Sequence, residues 1–292
     1  MGSVGASTSR RSSTQSASRT SRTTTASPVC PIARSSAHYQ ARCNASSGCV
    51  TGVEALLRWE HPDLSTVPPT KFLEVAEEIG LIVPLGRWVL RTACRQNVAW
   101  QAAGLPRLHV AVNLTLRQLL DEHLARDVKE ALASAGMDPG LLEIEVREEH
   151  LLRDVSATLL VLQSLKELGV RIVIDHFGAG YSSLTRLERY PLDAIKIDRS
   201  CVRETATSSG FTDAIVAVGK TLSVTVVAQG VETEEQESFV RDHGCDEVQG
   251  FHVHRPMPAD QLTELLLASG SRLGNPAGPF SRTGRLRKTG RP

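Results

Sequence analysis

The sequence predicts an α/β domain folded as a (β/α)8 barrel of the TIM type, in which eight strands close into a cylinder surrounded by helices. Between about residue 38 and residue 268, short runs rich in β-branched residues alternate with longer segments of helical period. This alternation contains about eight candidate strands over roughly 230 residues, which suits one closed barrel better than two domains. In addition, nearly every candidate strand ends in a polar or ionisable residue.

The candidate strands place their polar ends at regular intervals along the chain. The first candidate strand lies near residues 38–42. The other seven strands end near Glu54, Asn113, Glu145, Asp175, Lys196, Gln229 and Gln249. The C-terminal ends of barrel strands converge on one face, so these side chains are expected around a single mouth. One polar strand end is readily explained by solvation, but seven together favour a functional site.

The segments between the strands have the spacing of amphipathic helices. Leu90, Cys94 and Val98 recur on one helical face, and Leu159 and Leu162 do so in a later segment. Proline and glycine residues lie at the ends of these segments, where helices start and stop. We therefore predict helices that cover the outside of the barrel.

The two ends of the chain differ in charge from its middle. The first acidic residue is Glu54 and the last is Glu264, and 12 of the 33 basic residues lie outside that interval. Residues 1–27 include nineteen Ser, Thr or Arg residues, a composition that cannot bury enough apolar surface to order the chain. Basic ends can attract nucleic acid or anionic lipid, but no motif indicates specific nucleic-acid binding. The predicted regions are a disordered head (1–37), the barrel (38–269) and a disordered basic tail (270–292).

Composition also excludes several classes of protein. No stretch approaches the roughly 18 to 20 apolar residues that cross a bilayer, and the N-terminus lacks the apolar core of a signal peptide. A cytoplasmic location is therefore expected. The six cysteines contain no CxxC pair, so neither a zinc knuckle nor a compact disulfide framework is indicated.

The polar strand ends indicate a divalent cation. Three carboxylates and a carboxamide facing one point repel each other unless a cation lies among them. Oxygen ligands of this kind suit Mg²⁺ or Mn²⁺. A divalent ion with carboxylates and a nearby lysine is the arrangement that phosphodiester cleavage requires.

These residues lie in segments that resemble a known family. GVEALLRWEHP at residues 52–62 resembles the signature of the EAL-domain family of cyclic di-GMP phosphodiesterases. Six further segments resemble family motifs in the family's order, and all seven together span residues 52–258. The six are VNLT (112–115), EIEVREEHLL (143–152), IDHFGAGYSSL (174–184), AIKIDRS (194–200), AQGVETEEQ (228–236) and GCDEVQGFHVHRPMP (244–258).

The resemblance implies an EAL-type barrel whose first strand runs antiparallel to the others. It also implies a homodimer formed near residues 176–185. The ligands that it implies for a first metal ion are Glu54, Asn113, Glu145 and Asp175.

The resemblance assigns further roles at matching positions. It implies that Arg58 meets a substrate phosphate and that Lys196 positions the attacking water. A surface ion pair is the alternative for Arg58, and a stem packed at the barrel rim is the alternative for Lys196. Glu148 would anchor the loop after Asp175, although Arg147 replaces the family's threonine beside it. The remaining implied substrate contacts are Gln40 and Gln249.

The sequence departs from the family pattern at two positions. His176 replaces the second aspartate of the family's DDFG motif, and Gln229 replaces the glutamate of its AEGVE motif. Both positions serve a second metal ion and the water that it activates. Three carboxylates with one divalent ion carry the same net charge as five with two, so a site with one ion remains electrostatically balanced. Alternatively, His176 could join His252 and His254 in a different transition-metal site.

Three functions follow from this pattern. The chain could bind cyclic di-GMP with weak or no hydrolysis, which the two substitutions favour. It could be an active phosphodiesterase dependent on Mg²⁺ or Mn²⁺. It could also be a degenerate module that acts through a protein partner. Six unchanged positions favour the first two functions over the third: Glu54, Arg58, Asn113, Glu145, Asp175 and Lys196.

Overall fold

The computed structural model describes residues 35–61, 65–67, 69–153, 155–178, 187–203 and 209–273. Residues 1–34 of the predicted disordered head and residues 274–292 of the predicted tail lie outside the described residues. The proposed dimer segment also lies outside them from residue 179 onward.

Eight strands of one continuous sheet close into a barrel. The described part of the sheet comprises β1 (Ser35–Asn44), β2 (Val50–His61), β3 (Ser65–Val67), β4 (His109–Leu114), β5 (Leu142–Arg147), β6 (Arg171–Phe177), β7 (Ala194–Ile197), β8 (Thr225–Gln229), β9 (Glu247–Gln249) and β10 (Met257–Pro258), of which β3 and β10 are short additions to the eight barrel strands. Strands β2 and β4 to β9 pair in parallel, in sequence order. Strand β1 closes the cylinder by pairing antiparallel with both β2 and β9. The predicted barrel and its antiparallel first strand are confirmed.

Helices follow the barrel strands and cover their outer face. They are α1 (Pro69–Glu78), α2 (Ile82–Ala102), α3 (Leu116–Leu119), α4 (Leu124–Ala135), α5 (Glu148–Arg153), α6 (Val155–Glu167), α7 (Ser200–Arg203), α8 (Ser209–Leu222), α9 (Glu234–Asp242) and α10 (Ala259–Ala268). Apolar residues on the outward face of each strand are buried beneath them, as with Leu142, Ile144 and Val146 on β5. Within the described ranges, no helix combines the length and apolarity needed to cross a bilayer.

Three boundaries differ from those predicted. Strand β1 begins at Ser35, three residues before the predicted start of the barrel. Glu54 does not end its strand, because β2 continues to His61 by pairing with β1 and with the short strand β3. Near the other end, Leu273 donates its backbone N–H to Gly48 at 3.0 Å, so this part of the predicted tail packs against the β1–β2 turn.

The barrel interior below the mouth is filled by a buried ion-pair network, here called the barrel floor. Arg42 on β1 contacts Glu143 on β5 at 2.8 Å and Glu247 on β9 at 2.5 Å. Arg171 on β6 also contacts Glu143, at 3.0 Å. Glu143 precedes Glu145 by two residues, so both face the interior in successive layers. The floor ties opposite strands together directly beneath the polar side chains of the mouth.

The barrel floor predicts loss of stability in acid. Burial raises the pKa of Glu143, but Arg42, His109 and Arg171 outweigh it and hold the pKa at about 2, against a usual value of 4.5. Because the pKa is lower in the folded state, the stabilisation is present above pH 4.5 and is lost as the pH falls toward 2. By thermodynamic linkage, the lowered pKa of Glu143 contributes about 3 kcal/mol to the free energy of unfolding at neutral pH.

Urea unfolding of the parent and of Glu143→Gln at pH 7 and pH 3 measures this effect. We expect the difference in unfolding free energy between the two proteins to shrink by about 2 kcal/mol at pH 3, because that pH still lies above the folded-state pKa of Glu143. The control is Glu122→Gln, since the Glu122 side chain is 86% exposed. Equal pH slopes for the parent and Glu143→Gln would contradict the assignment.

Candidate active site

A buried lysine lies between two carboxylates at the centre of the barrel mouth. Lys196 on β7 donates to Glu54 Oε2 at 2.7 Å and to both oxygens of Glu145, at 2.7 and 2.9 Å. Lys196 is 0% exposed and Glu145 is 1% exposed. The strands β2, β5 and β7 that carry these residues lie on different sides of the barrel, so barrel closure alone brings them together.

Amide side chains complete the shell around Glu54. Asn113 on β4 donates to Glu54 Oε1 at 2.6 Å, and Gln249 on β9 donates to Glu54 Oε2 at 2.8 Å. Gln249 also donates to Gln40 on β1 at 3.3 Å, and Gln40 donates to the carbonyl of His254 at 3.0 Å. Six of the residues predicted from the sequence therefore form one connected network: Gln40, Glu54, Asn113, Glu145, Lys196 and Gln249.

The carboxylates in and beside this network outnumber its one lysine. Burial raises the pKa of Glu54, but the charge of Lys196 and hydrogen bonds from Lys196, Asn113 and Gln249 outweigh it and bring the pKa to about 2. Burial and the charge of Glu54 raise the pKa of Glu145 well above its usual value, against the effect of Lys196. Burial lowers the pKa of Lys196, but the carboxylates of Glu145, Glu54 and Asp175 outweigh it and raise the pKa. One ammonium thus leaves an excess of negative charge at the mouth.

Asp175 and His176 lie at a β-bulge on β6. Pairing with β7 is regular at Ile174 and resumes at Phe177, with one extra residue of β6 in between. His176 has a left-handed backbone, with φ at 56°. Consecutive residues of a regular strand face opposite sides, whereas a bulge can direct both toward one side. Here His176 Nε2 lies 3.4 Å from Asp175 Oδ2.

Asp198, just after β7, holds the other nitrogen of the His176 ring. His176 Nδ1 is 2.6 Å from Asp198 Oδ2. Burial raises the pKa of Asp198, but hydrogen bonds from Ser200 and from His176 outweigh it and lower the pKa. Sequence reasoning did not select Asp198. It follows Lys196 by two residues in the AIKIDRS segment, and this period of two indicated the same face of the chain.

Glu148, at the start of α5, reaches the end of β6. Its Oε2 accepts a hydrogen bond from the backbone N–H of Gly178 at 3.1 Å. Its Oε1 is buried and has no hydrogen-bond partner among the described residues. Gly178 lies in the segment after Asp175 that Glu148 was predicted to anchor. The rest of that segment, from residue 179, lies outside the described residues.

Arg58 and Gln229 lie near the mouth but outside the central network. Arg58 follows Glu54 by four residues on β2, and its Nη1 donates to the carbonyl of Leu57 at 2.9 Å. Burial lowers the pKa of Arg58, and the charge of Glu54 opposes this. Gln229 is half-buried at the end of β8 and pairs in register with Gln249.

The three histidines considered as an alternative metal site do not meet. His252 contacts the buried carboxylate of Glu237 at 3.0 Å. His254 Nδ1 lies 3.1 Å from the carbonyl of Arg255. Only His176 lies beside Asp175. The hypothesis of a site built from all three histidines is therefore wrong, because the other two rings are directed to partners of their own.

The mouth has the ligand chemistry of a divalent-cation site without a preformed cage. No group of three or more His, Cys, Asp or Glu side chains with metal-binding geometry occurs in the part of the chain that the structure describes. However, Asp175 is 4% exposed, and its Oδ1 has no hydrogen-bond partner within the described ranges. An unpaired buried carboxylate oxygen is costly unless a cation or water meets it. Together with the excess negative charge around Glu54 and Glu145, this oxygen fits a divalent cation.

Comparison with known proteins gives a consistent result. The family model described as "EAL domain" matches residues 33–256. The chain is 46% identical over 228 residues to the bifunctional diguanylate cyclase/cyclic di-GMP phosphodiesterase MucR of Pseudomonas aeruginosa, covering 77% of this chain and 33% of MucR. It is 40% identical over 225 residues to the cyclic di-GMP phosphodiesterase PdeR of Escherichia coli, covering 76% of this chain and 34% of PdeR. The chain thus spans about a third of the length of these relatives.

Solved structures share the fold. A structure described as the PaMucR phosphodiesterase in complex with c-di-GMP matches with a TM-score of 0.76 and 45% identity, covering 79% of this chain and 94% of that chain. The EAL domain of Mycobacterium smegmatis DcpA matches with a TM-score of 0.68 and 31% identity, covering 81% of this chain and 96% of that chain.

Proposed function

The chain belongs to the EAL-domain family, and from this we propose that it binds cyclic di-GMP at the barrel mouth with weak or no hydrolysis. The observation that carries the proposal is the connected network of Glu54, Glu145, Lys196, Asn113 and Gln249, of which all but Asn113 are buried. The two substituted positions, His176 and Gln229, lie at the edge of this network. The substitutions therefore leave the central network intact, and their main expected effect is on hydrolysis.

Each part of the barrel mouth has a role in the proposed binding of cyclic di-GMP. A bound Mg²⁺ or Mn²⁺ would neutralise the phosphates and polarise a phosphoryl oxygen. Arg58 supplies a guanidinium that can donate a bidentate pair of hydrogen bonds to a phosphate. Gln40 and Gln249 offer amide groups at the same face. The residues that would hold the cation are Glu54, Asn113, Glu145 and Asp175.

Weak hydrolysis follows from the chemistry of Gln229. A carboxylate can accept a proton from water as the water attacks, whereas an amide cannot act as a general base near neutral pH. Loss of a general base costs about 10²- to 10⁴-fold in rate. Glu145 and Glu54 do not replace it, because both already contact Lys196. We therefore assign the chain a receptor role with residual turnover at most.

An active phosphodiesterase is the second candidate. The names of MucR and PdeR favour it, since both matched relatives are described as cyclic di-GMP phosphodiesterases. Turnover comparable with that of such an enzyme would replace the receptor proposal. A module that acts through a protein partner or as a homodimer is the third candidate, and it requires no nucleotide.

Arg58→Met is expected to weaken cyclic di-GMP binding at least tenfold, because a charge-assisted phosphate contact contributes about 1.5 to 3 kcal/mol. Calorimetric titration with Mg²⁺ or Mn²⁺ gives the Kd, and chromatography of the same mixture shows whether the nucleotide is cut. The matched control is Arg91→Met, which removes an arginine from a surface pair with Glu130. Failure of the parent protein to bind cyclic di-GMP with either ion would contradict the proposed function.

A further inference from the structure

The side chains of Asp175 and His176 have the spacing of two ligands on one metal ion. Two ligand atoms about 2.1 Å from a common ion are about 3.0 Å apart at a right angle and about 3.4 Å apart at the tetrahedral angle. The observed separation of Asp175 Oδ2 and His176 Nε2 is 3.4 Å. The second oxygen of Asp175, Oδ1, is buried without a hydrogen-bond partner among the described residues.

Asp198 sets the protonation pattern of the His176 ring. An ionised carboxylate is only an acceptor, so the nitrogen that bonds to it carries the proton. His176 Nδ1 is that nitrogen, at 2.6 Å from Asp198 Oδ2. In the neutral ring, Nε2 then has a free lone pair and lies beside Asp175. A carboxylate that holds the distal nitrogen of a histidine is the usual outer contact of a metal-ligating imidazole.

The backbone at His176 is held in a costly conformation. Its φ of 56° is unusual for a residue other than glycine. Backbone strain of this kind is concentrated at functional sites. Without the bulge, Asp175 and His176 would face opposite sides of β6, so the strained backbone is what brings their side chains together.

From this geometry we infer that Asp175 and His176, with Asp198 as the positioning residue, form a half-site for a transition-metal ion such as Zn²⁺ or Mn²⁺. The half-site differs from the oxygen-only set of Glu54, Asn113 and Glu145 in supplying a nitrogen ligand. Imidazole suits zinc and related ions, whereas Mg²⁺ strongly favours oxygen. The substitution of His176 therefore changes the metal preference of this position and does not abolish metal binding.

Two protein ligands leave the coordination of the ion incomplete. Water and a phosphate oxygen of the bound nucleotide are the ligands that would complete it, and in this respect the inference rests on the proposed function. Binding of the ion and binding of cyclic di-GMP should therefore strengthen each other reciprocally. The basis of the half-site itself, the Asp175–His176–Asp198 geometry, does not depend on the nucleotide.

Nitrogen-15 NMR of the histidine rings tests the half-site directly. We expect Zn²⁺ to shift the Nε2 resonance that disappears in His176→Asp, and we expect Mg²⁺ at the same concentration to leave it unchanged. In Asp198→Asn, the Zn²⁺ affinity read from this resonance should fall about 10- to 100-fold, the usual effect of losing an outer contact. In His176→Asp, calorimetry should show a higher ratio of Mg²⁺ to Zn²⁺ affinity than in the parent.

The control is His123→Ala, which removes a histidine whose side chain is 44% exposed and contacts Glu122. It should leave the Zn²⁺ response of His176 unchanged, and circular dichroism establishes that each variant is folded. If Zn²⁺ does not change the chemical shift of His176 Nε2, with or without cyclic di-GMP, the inference is overturned. If cyclic di-GMP still binds in that case, the proposed function stands. If Zn²⁺ shifts the resonance but no nucleotide binds, the half-site stands and the proposed function fails.

Discussion

Replacing His176 by Asp and Gln229 by Glu in one chain is expected to raise the rate of cyclic di-GMP hydrolysis about 10²- to 10⁴-fold in Mg²⁺. The change from Gln229 to Glu supplies a carboxylate that can accept a proton. The change from His176 to Asp supplies an oxygen ligand of the kind that Mg²⁺ prefers. The rest of the mouth needs no change, since Lys196 already links Glu54 and Glu145.

Single-turnover measurement with excess protein separates this gain from any change in binding. The single variants serve as controls: Gln229→Glu alone should gain more with Mn²⁺ than with Mg²⁺, because it retains His176. Equal rates for the double variant and the parent would show that His176 and Gln229 are not the cause of weak hydrolysis. Rapid hydrolysis by the parent would show that the two substitutions do not impair catalysis, and it would establish the second candidate function.

Much of the barrel could be predicted because its pattern is local. Short apolar runs rich in β-branched residues and with polar ends, such as the run that ends near Asn113, alternate with segments of helical spacing. The rule that strand ends meet at one mouth then brought Glu54, Glu145 and Lys196 together. The antiparallel direction of β1 had no such local signal, because a single strand reads the same in both directions. That feature came from the family resemblance.

The details of the site depend on pairing across the closed barrel, which the sequence does not show. Contact between Arg42 and Glu247 requires closure of β1 against β9, and both residues could equally have been solvated. The bulge that turns His176 toward Asp175 depends on the register between β6 and β7. For the same reason, Asp198 was overlooked: its importance derives from a ring on a neighbouring strand.

Lys196→Met is expected to destabilise the metal-free protein by about 5 kcal/mol at pH 7, at the upper end of the usual effect of breaking a buried ion pair. Lys196 is 0% exposed and serves two carboxylates, so its loss leaves Glu54 and Glu145 facing each other without a cation. In the variant, the two carboxylates must share a proton, which raises their pKa in the folded state. The variant therefore loses stability as the pH rises, whereas the parent retains the stabilisation from Glu54, whose pKa is about 2.

Urea unfolding in the presence of EDTA at pH 7 and pH 4.5 measures the effect, and the deficit of Lys196→Met should be clearly smaller at the lower pH. Lys166→Met is the matched control: Lys166 pairs with Asp193 at 2.8 Å but its side chain is 32% exposed. Its loss should cost about 1 kcal/mol or less. Because a divalent cation can replace the missing ammonium between the carboxylates, Mg²⁺ or Mn²⁺ should stabilise Lys196→Met more than they stabilise the parent or Lys166→Met. Equal deficits for the two lysine variants, at both pH values, would mean that Lys196 is not the cation on which the mouth depends.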